Sequence, residues 1–523
     1  LLKAAAANAR LPASLPARLP ARLPIRSARS NRSSQLGVDE EGCCKMKYFA
    51  ASPFGIQRKG TGKMIHTFEN NGYRIVLDVH SGAVHVVDDC AYELVQLLDE
   101  NMGESCPESV LAALRDRYDP QEIQETYEEL FALKKAGQLF SEDDYQQFTD
   151  RMVSSPLKAM CLHVSHDCNL RCKYCFAGQG VYGGAPKVMS AQVAKAAIDF
   201  LIEKSVGRRN LELDFFGGEP LMNWEVVKET VDYARSLEKK HGKCFRFTTT
   251  TNGVLLNPEI NDYLNREMNN VVLSLDGRRE INDAMRPNAG GKGSYDTIVP
   301  KYQQFVAMRG DKDYYVRGTF TKKNLDFSQD VLHMVELGFD QVSVEPVISD
   351  PQLSFAITEE DLPAIREEYD RLARIILERK KAGKGFNFFH FMLDLDQGPC
   401  AIKRLRGCGC GNEYAAVDPD GGVFPCHQFV GKPEWQMGNV LTGDYDLTRR
   451  IVIGRDRQSL SKSRCLLTCL LDQILVQSDD RIHCSLTGRH CLRHKSATLL
   501  HQCNSLLEVH RSAGNISGIF AKA

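Results

Sequence analysis

Between residues 64 and about 149, short stretches that alternate apolar and polar residues give way to segments with a repeat of three to four. IHTFEN, YRIVLDV and AVHVVD read as strands, and YELVQLLDE, SVLAALRDRY and PQEIQETYEELFALKKAG read as helices. The pattern predicts a small winged-helix-like α+β unit over residues 64–149. Its apolar positions supply its own core, so a binding role falls to a sheet edge, where an extended peptide can add as one more strand.

From about Lys158 to Ile348 the two periods interleave. AMCLHVSH, NLELDFFGG, CFRFTTTTNG, NVVLSLDG, YYVRGTFT and QVSVEPV have strand character, and helical patterns such as SAQVAKAAIDFLIEKSV and WEVVKETVDYARSLEKKHG separate them. Six such repeats predict an α/β fold, with a partial (β/α)6 barrel of the TIM type over residues 150–350. In barrels of this kind chemistry gathers at the C-terminal ends of the strands. The residues there are a cysteine loop after the first strand, Gly217-Gly218-Glu219 after the second, Thr251-Asn252-Gly253 after the third, and Ser274 and Asp276 after the fourth. A bridging helix, TEEDLPAIREEYDRLARIILERKKAG, then leads into a loop-rich segment with cysteines, the two together spanning residues 351–447.

Composition sharpens this picture at the two ends. The chain has 523 residues and a formal net charge of −1, which gives no electrostatic case for nucleic acid or an anionic membrane as partner. No stretch approaches the roughly 18 apolar residues of a membrane span. Residues 1–63 open with an Ala-, Arg- and Pro-rich run that resembles a transit peptide in composition, yet the compact pattern starts only at Met64, a natural start. A disordered or non-native extension is expected there. Residues 448–523 hold a single aromatic, Phe520, and five of the fourteen histidines, and read as an atypical, out-of-frame or otherwise altered tail.

Eighteen cysteines in so long a chain point to metal or cluster ligation in a reducing compartment rather than to a disulfide framework. The sharpest signal is Cys168-Asn-Leu-Arg-Cys172-Lys-Tyr174-Cys175. Three thiolates in one short loop can ligate three irons of a cubane cluster and leave the fourth iron open to a small chelating molecule. A zinc site completed by His163 or His166 is the competing reading, and three buried structural cysteines the blander one.

This CxxxCxxC run, with an aromatic before its third cysteine and Gly217-Gly218-Glu219-Pro220 at the next strand end, resembles the radical S-adenosylmethionine superfamily. The resemblance implies a 4Fe-4S cluster on Cys168, Cys172 and Cys175, with the open iron chelated by S-adenosylmethionine. It gives Gly217, Gly218 and Glu219 the amino end of that nucleotide, and makes Ser274, Asp276, Arg317 and Glu345 candidates for its ribose, carboxylate or adenine side. It assigns no residue a catalytic acid–base role, because the cofactors carry the chemistry.

The segment from Cys400 to about Val440 resembles the start of a SPASM extension. It implies at least one auxiliary 4Fe-4S cluster on Cys400, Cys408 and Cys426, with Cys410 either an alternative ligand or a small core residue. The CxxCxxxxxC run that normally follows is absent, so a second auxiliary cluster is not expected and activity of the chain as written is in question. A metal site made by the tail's own Cys and His residues is the contrary reading.

MIHTFENNGYRIVLDVHSGAVHVVDD, GCGCGNEYAAVDPDGGVFPCHQFVG and WQMGNV most resemble maturases of SCIFF peptides, which install thioether cross-links. This likeness covers about residues 64 to 447. It implies a Cys-rich precursor peptide bound through its leader, a reductase such as flavodoxin or ferredoxin, and the cytoplasm of an anaerobic bacterium. The runner-up is an anaerobic sulfatase maturase, which carries Asp where this chain has His427. A non-catalytic leader-peptide or metal-binding protein is the reading from a different class.

Overall fold

The computed structural model describes residues 65–70, 72–142, 156–392 and 410–446. The expected extension over residues 1–63, the expected altered tail over residues 448–523, and Cys400 and Cys408 lie outside the described residues.

The alternating segments at the front form strands β1 (Ile65–Asn70), β2 (Tyr73–Asp78) and β3 (Val84–Val87), paired antiparallel in that order. Asp78 shapes the turn between β2 and β3. Its Oδ1 accepts the amides of His80 and Ser81 at 3.1 and 2.9 Å, and its Oδ2 accepts the amide of Ser141 at 2.9 Å. Three helices follow, α1 (Asp89–Leu97), α2 (Glu108–Leu114) and α3 (Pro120–Lys135). Asp88 caps α1 by accepting the amide of Ala91 at 2.8 Å, and Asp119 caps α3, where Pro120 sits at a first-turn position that lacks an intrahelical partner anyway. Val76, Leu94, Ile123, Tyr127 and Leu130 close a core of their own.

Each of the six expected later strands is a strand. They are β4 (Ala159–His166), β6 (Asn210–Gly217), β7 (Cys244–Thr251), β8 (Asn270–Ser274), β9 (Asp313–Phe320) and β10 (Gln341–Pro346). All six run parallel and lie in sequence order across one sheet. The connections carry α4 (Ala191–Lys204), α5 (Trp224–His241), α6 (Pro258–Glu267), α7 (Arg279–Met285), α8 (Tyr295–Ala307) and α9 (Phe327–Glu336), and the long helical pattern that follows forms α10 (Leu362–Lys381).

The sheet continues past both ends of this array. The short strand β11 (Asn387–Phe388) pairs parallel with β10. On the other side β12 (Tyr414–Val417) pairs parallel with β4, followed antiparallel by β13 (Gly422–Phe424) and β14 (Gly438–Asn439). The two-residue β5 (Lys187–Val188) pairs antiparallel with the C-terminal end of β4. The strand that leads into the cysteine loop is therefore flanked by β6 on one side and β12 on the other.

Residues alternate along these strands with period two. Leu211, Leu213 and Phe215 of β6, and Tyr314, Val316 and Phe320 of β9, join the main core against the helices. Glu212, Asp214 and Phe216, and Tyr315, Arg317 and Thr319, fall on the other face. A parallel sheet packed with helices on both faces reads as continuous apolar runs. Here one face is largely polar, and the functional candidates lie on it or at its C-terminal rim.

Candidate active site

The cysteine loop begins where β4 ends, and close backbone contact ties it to the loop after β6. The amides of Gly218 and Glu219 donate to the carbonyls of Ser165 and Asp167 at 2.8 and 2.9 Å. Gly217 has φ +120, and a Cβ there would lie 2.2 Å from the carbonyl oxygen of Ser165; one on Gly218 would lie 2.2 Å from that of Asp167. Both positions require glycine for contact, and Gly217 for its conformation as well. Gly180 closes the third side, with room for no side chain against Cys168.

Cys168, Cys172 and Cys175 are half-buried free thiols. Burial pushes Cys168 up to about 12 and Cys172 up to about 11, so an electropositive occupant is what would hold them as thiolates at neutral pH. The amide of Leu170 lies 3.4 Å from the Cys168 sulfur, and Asn252 Nδ2 lies 3.6 Å from it and 2.7 Å from Asn169 Oδ1. Among the described residues no three Cys, His, Asp or Glu side chains converge on a single metal-ion position. Three soft thiols from one short loop, electrostatically coupled to one another, are the donor set of a cubane that keeps one iron open. His163 and His166 are buried with ring nitrogens 3.2 Å apart, and His166 stacks on Tyr182. The donor set fits a cluster.

Glu219 is buried, and its carboxylate is engaged within the protein. Oε1 accepts Thr251 Oγ1 at 2.8 Å and the amide of Leu221 at 3.1 Å, and Oε2 accepts the amide of Asn252 at 2.7 Å. Burial lifts its pKa to about 7 against those hydrogen bonds. It ties the end of β6 to the end of β7, which places Asn252 beside Cys168.

Asp276 lies just past the end of β8. It is fully buried, both oxygens accept from Tyr174 Oη at 2.8 and 2.7 Å, and Oδ1 also accepts the amide of Thr319 at 3.0 Å. These contacts anchor the aromatic of the cysteine loop at the C-terminal rim of the sheet. Arg286, not anticipated from sequence, completes the group. Its Nη1 lies 3.0 Å from Tyr174 Oη and 3.9 Å from Asp276 Oδ1, and its Nε is buried without a hydrogen-bond partner among the described residues. The backbone of the same stretch is zipped to the loop, with the amides of Arg171 and Lys173 donating to the carbonyls of Pro287 and Met285 at 2.7 and 2.9 Å.

Ser274 and Arg317 are register partners on β8 and β9, and Arg317 Nε lies 4.0 Å from Glu345 Oε1 on β10. Glu345 is buried, yet its pKa falls to about 2: burial would raise it, and a 2.9 Å contact with His390 Nε2, Arg317 and a 2.9 Å bond from Ser343 Oγ outweigh that. His390 sits on a 3-10 turn with no periodic signature, so no sequence signal marked it. Tyr302 is a further unmarked residue: its hydroxyl lies 3.1 Å from the carbonyl of Ser274 and 3.4 Å from that of Thr251, joining two strand ends at the rim.

Cys426 and Cys410 are buried in one cluster with Cys161, Tyr182 and Phe429, and Cys175 packs against its margin. His427 Nδ1 lies 3.5 Å from the Cys426 sulfur and 3.3 Å from Tyr414 Oη. A cavity of about 490 Å³ opens beside Tyr174 and Cys175, between the cysteine loop, the exit of β10 and residues 428–432.

A family model described as a 4Fe-4S single cluster domain matches residues 158–300. The radical SAM cyclopropyl synthase TigE of Paramaledivibacter caminithermalis is 26% identical over 232 residues, 40% of this chain and 46% of that enzyme, so the chain spans less than half the length of this relative. The serine-type anaerobic sulfatase-maturating enzyme of Bacteroides thetaiotaomicron is 32% identical over 315 residues, 55% of this chain and 73% of its own length. The solved structure of anSMEcpe with bound AdoMet and Kp18Cys peptide covers 68% of this chain and 99% of its own, with a TM-score of 0.54 at 17% identity, a likeness of fold. A cysteine loop braced by a glycine pair at the rim of a parallel sheet, in a chain this similar to a sulfatase-maturating enzyme over most of that enzyme's length, belongs to the radical S-adenosylmethionine family in its SPASM-type branch.

Proposed function

We propose that this chain is a radical S-adenosylmethionine enzyme that modifies a peptide, forming thioether cross-links between cysteine sulfur and carbon in a Cys-rich precursor. When bound, the reduced 4Fe-4S cluster and S-adenosylmethionine supply a 5′-deoxyadenosyl radical able to remove an unactivated hydrogen, and the electron comes from a flavodoxin- or ferredoxin-type reductase. Cys168, Cys172 and Cys175 hold the cluster, and Asn252 donates toward the Cys168 sulfur. The backbone of Gly217 and Gly218 meets the amino end of the nucleotide, because the Glu219 carboxylate is engaged elsewhere. Arg286, held against Tyr174 of the cysteine loop, answers its carboxylate, and Ser274, Arg317 and Glu345 line its sugar and base.

The observation that carries this reading is the buried three-thiol loop braced on the glycine pair. Cys426, with Cys400 and Cys408, holds an auxiliary cluster beside the substrate. The precursor's leader adds to an unpaired edge of the β1–β3 sheet, where β1 and β3 each pair only with β2 among the described residues.

The resemblance to sulfatase-maturating enzymes supports a second reading, oxidation of a cysteine or serine to an aldehyde. His427, in place of the Asp those enzymes carry, favours cross-linking. Anaerobic incubation with S-adenosylmethionine, a reductant and candidate peptides separates the readings. A product two hydrogens lighter with fewer alkylatable thiols is a thioether, and a product trapped by a hydrazine is an aldehyde. Absence of 5′-deoxyadenosine with a fully loaded cluster would overturn both.

A further inference from the structure

The cavity beside Cys175 carries its own selectivity. One wall is the cysteine loop with Lys173, the opposite wall is Lys432 on the segment that follows Cys426, and Ser349, Asp350 and Leu353 from the exit of β10 close the third side. Its volume of about 490 Å³ falls within the roughly 300–1,000 Å³ of pockets that bury most of a ligand. Phe176 and Leu353, 43% and 45% exposed, present apolar surface to the cavity.

The charge around that cavity is unbalanced. Neither Lys173 nor Lys432 has a carboxylate within ion-pair distance among the described residues; the Lys432 ammonium lies 6.0 Å from the centre of the Phe429 ring. Asp350 is the one acid in the lining, which therefore carries two ammonium groups against one carboxylate.

We propose that this cavity binds an acidic segment of the substrate peptide, with an apolar side chain on Phe176 and Leu353 and a carboxylate between Lys173 and Lys432. This rests on the peptide-modifying reading and adds to it the class of sequence around the modified residue. A carboxylate meets two unpaired ammonium groups there, and a basic segment meets the same two as repulsion.

The test uses two fluorescein-labelled probes, Gly-Asp-Leu-Cys-Leu-Asp-Gly and Gly-Lys-Leu-Cys-Leu-Lys-Gly, titrated anaerobically by anisotropy into the full chain loaded with iron, sulfide and S-adenosylmethionine. The acidic probe is expected to bind about tenfold tighter, with the preference shrinking as salt is raised. Lys432→Glu should reverse or abolish the preference and Lys432→Arg should keep it, at matched iron content. Equal affinities for the two probes overturn the proposal, as does an acidic preference unchanged in Lys432→Glu. Displacement of the acidic probe by adenosine alone would assign the cavity to a nucleoside and also overturn it. Turnover of S-adenosylmethionine is scored separately. Turnover without charge preference removes this inference and leaves the catalytic reading, and charge preference without turnover does the reverse.

Discussion

Gly218→Ala is the most direct test of how the cysteine loop is positioned. The added Cβ would lie 2.2 Å from the carbonyl oxygen of Asp167, 2.6 Å from its carbon and 3.1 Å from the Cα of Gly180. Every one of those atoms is backbone, so no rotamer change relieves the contact. Reaching an ordinary contact of 3.4 Å requires a displacement of about 1.2 Å between the two loops. That movement also parts the Glu219 amide from the Asp167 carbonyl, now 2.9 Å apart. Overpacking of this kind costs about 1–3 kcal/mol and the lost hydrogen bond about 1 kcal/mol more. The displaced atoms immediately precede Cys168, and a misplacement near 1 Å at a reacting centre costs on the order of a hundredfold in rate. Iron and sulfide per chain, the signal of the reduced cluster by electron paramagnetic resonance, and 5′-deoxyadenosine formation are the assays. Gly103→Ala is the control, since its Cβ meets nothing within 4 Å. Full iron content with the turnover of the control would refute the reasoning.

Tyr302→Phe keeps the ring and removes the hydroxyl that joins the carbonyls of Ser274 and Thr251; a loss of about 1 kcal/mol should appear as about fivefold weaker S-adenosylmethionine binding at unchanged iron content, and an unchanged dissociation constant in equilibrium dialysis would count against it. His390→Leu takes the nearest partner from the buried, ionised Glu345 and should cost about 3–5 kcal/mol in urea unfolding, while adding Glu345→Gln should recover part of that loss. If the double variant is no more stable than the single, the pair is not coupled. Burial lowers the pKa of His85, outweighing its 2.9 Å bond to the carbonyl of Gln138 and the pull of Asp78. The unfolded chain then takes up a proton that the folded form refuses below about pH 6.5, so stability of the β1–β3 unit falls as pH drops below that value. Hydrogen exchange on peptides covering β2 and β3, corrected for intrinsic rates, should show protection lost on acidification and a flatter profile in His85→Phe; identical profiles would sink the assignment.

The regular elements were legible because period two and period 3.6 are local. The six strands β4 and β6–β10 sit on the stretches that alternate, and Asp88, Ser190 and Asn257 mark helix starts by their capping side chains. Alternation also places Arg317 and Glu345 on the polar face of the sheet. Asp276 lies two residues beyond the end of β8, where alternation no longer governs direction, so its inward contact with Tyr174 could not be read from the pattern. Arg286, Tyr302 and His390 earned no attention from spacing. Each acts across more than twenty residues of sequence, on partners that only tertiary packing brings near. The pairing of β12 with β4 is hidden for the same reason, since nothing in Tyr414–Val417 names its neighbour.

That pairing has a consequence in time. Tyr414 lies opposite Ala159, and the carbonyl of Glu413 accepts the amides of Lys158 and Ala159, so one flank of β4 is closed by residues made about 250 positions later. Until the ribosome has released them, β4 is a bare edge that carries the cysteine loop at its tip, open to strand pairing with other chains. A connection of such long range is slow to close. Production at lower temperature and rate, with the cluster inserted only after the chain is complete, should therefore raise the yield of loaded protein, and chains that stop short of residue 414 should aggregate rather than fold as a smaller enzyme.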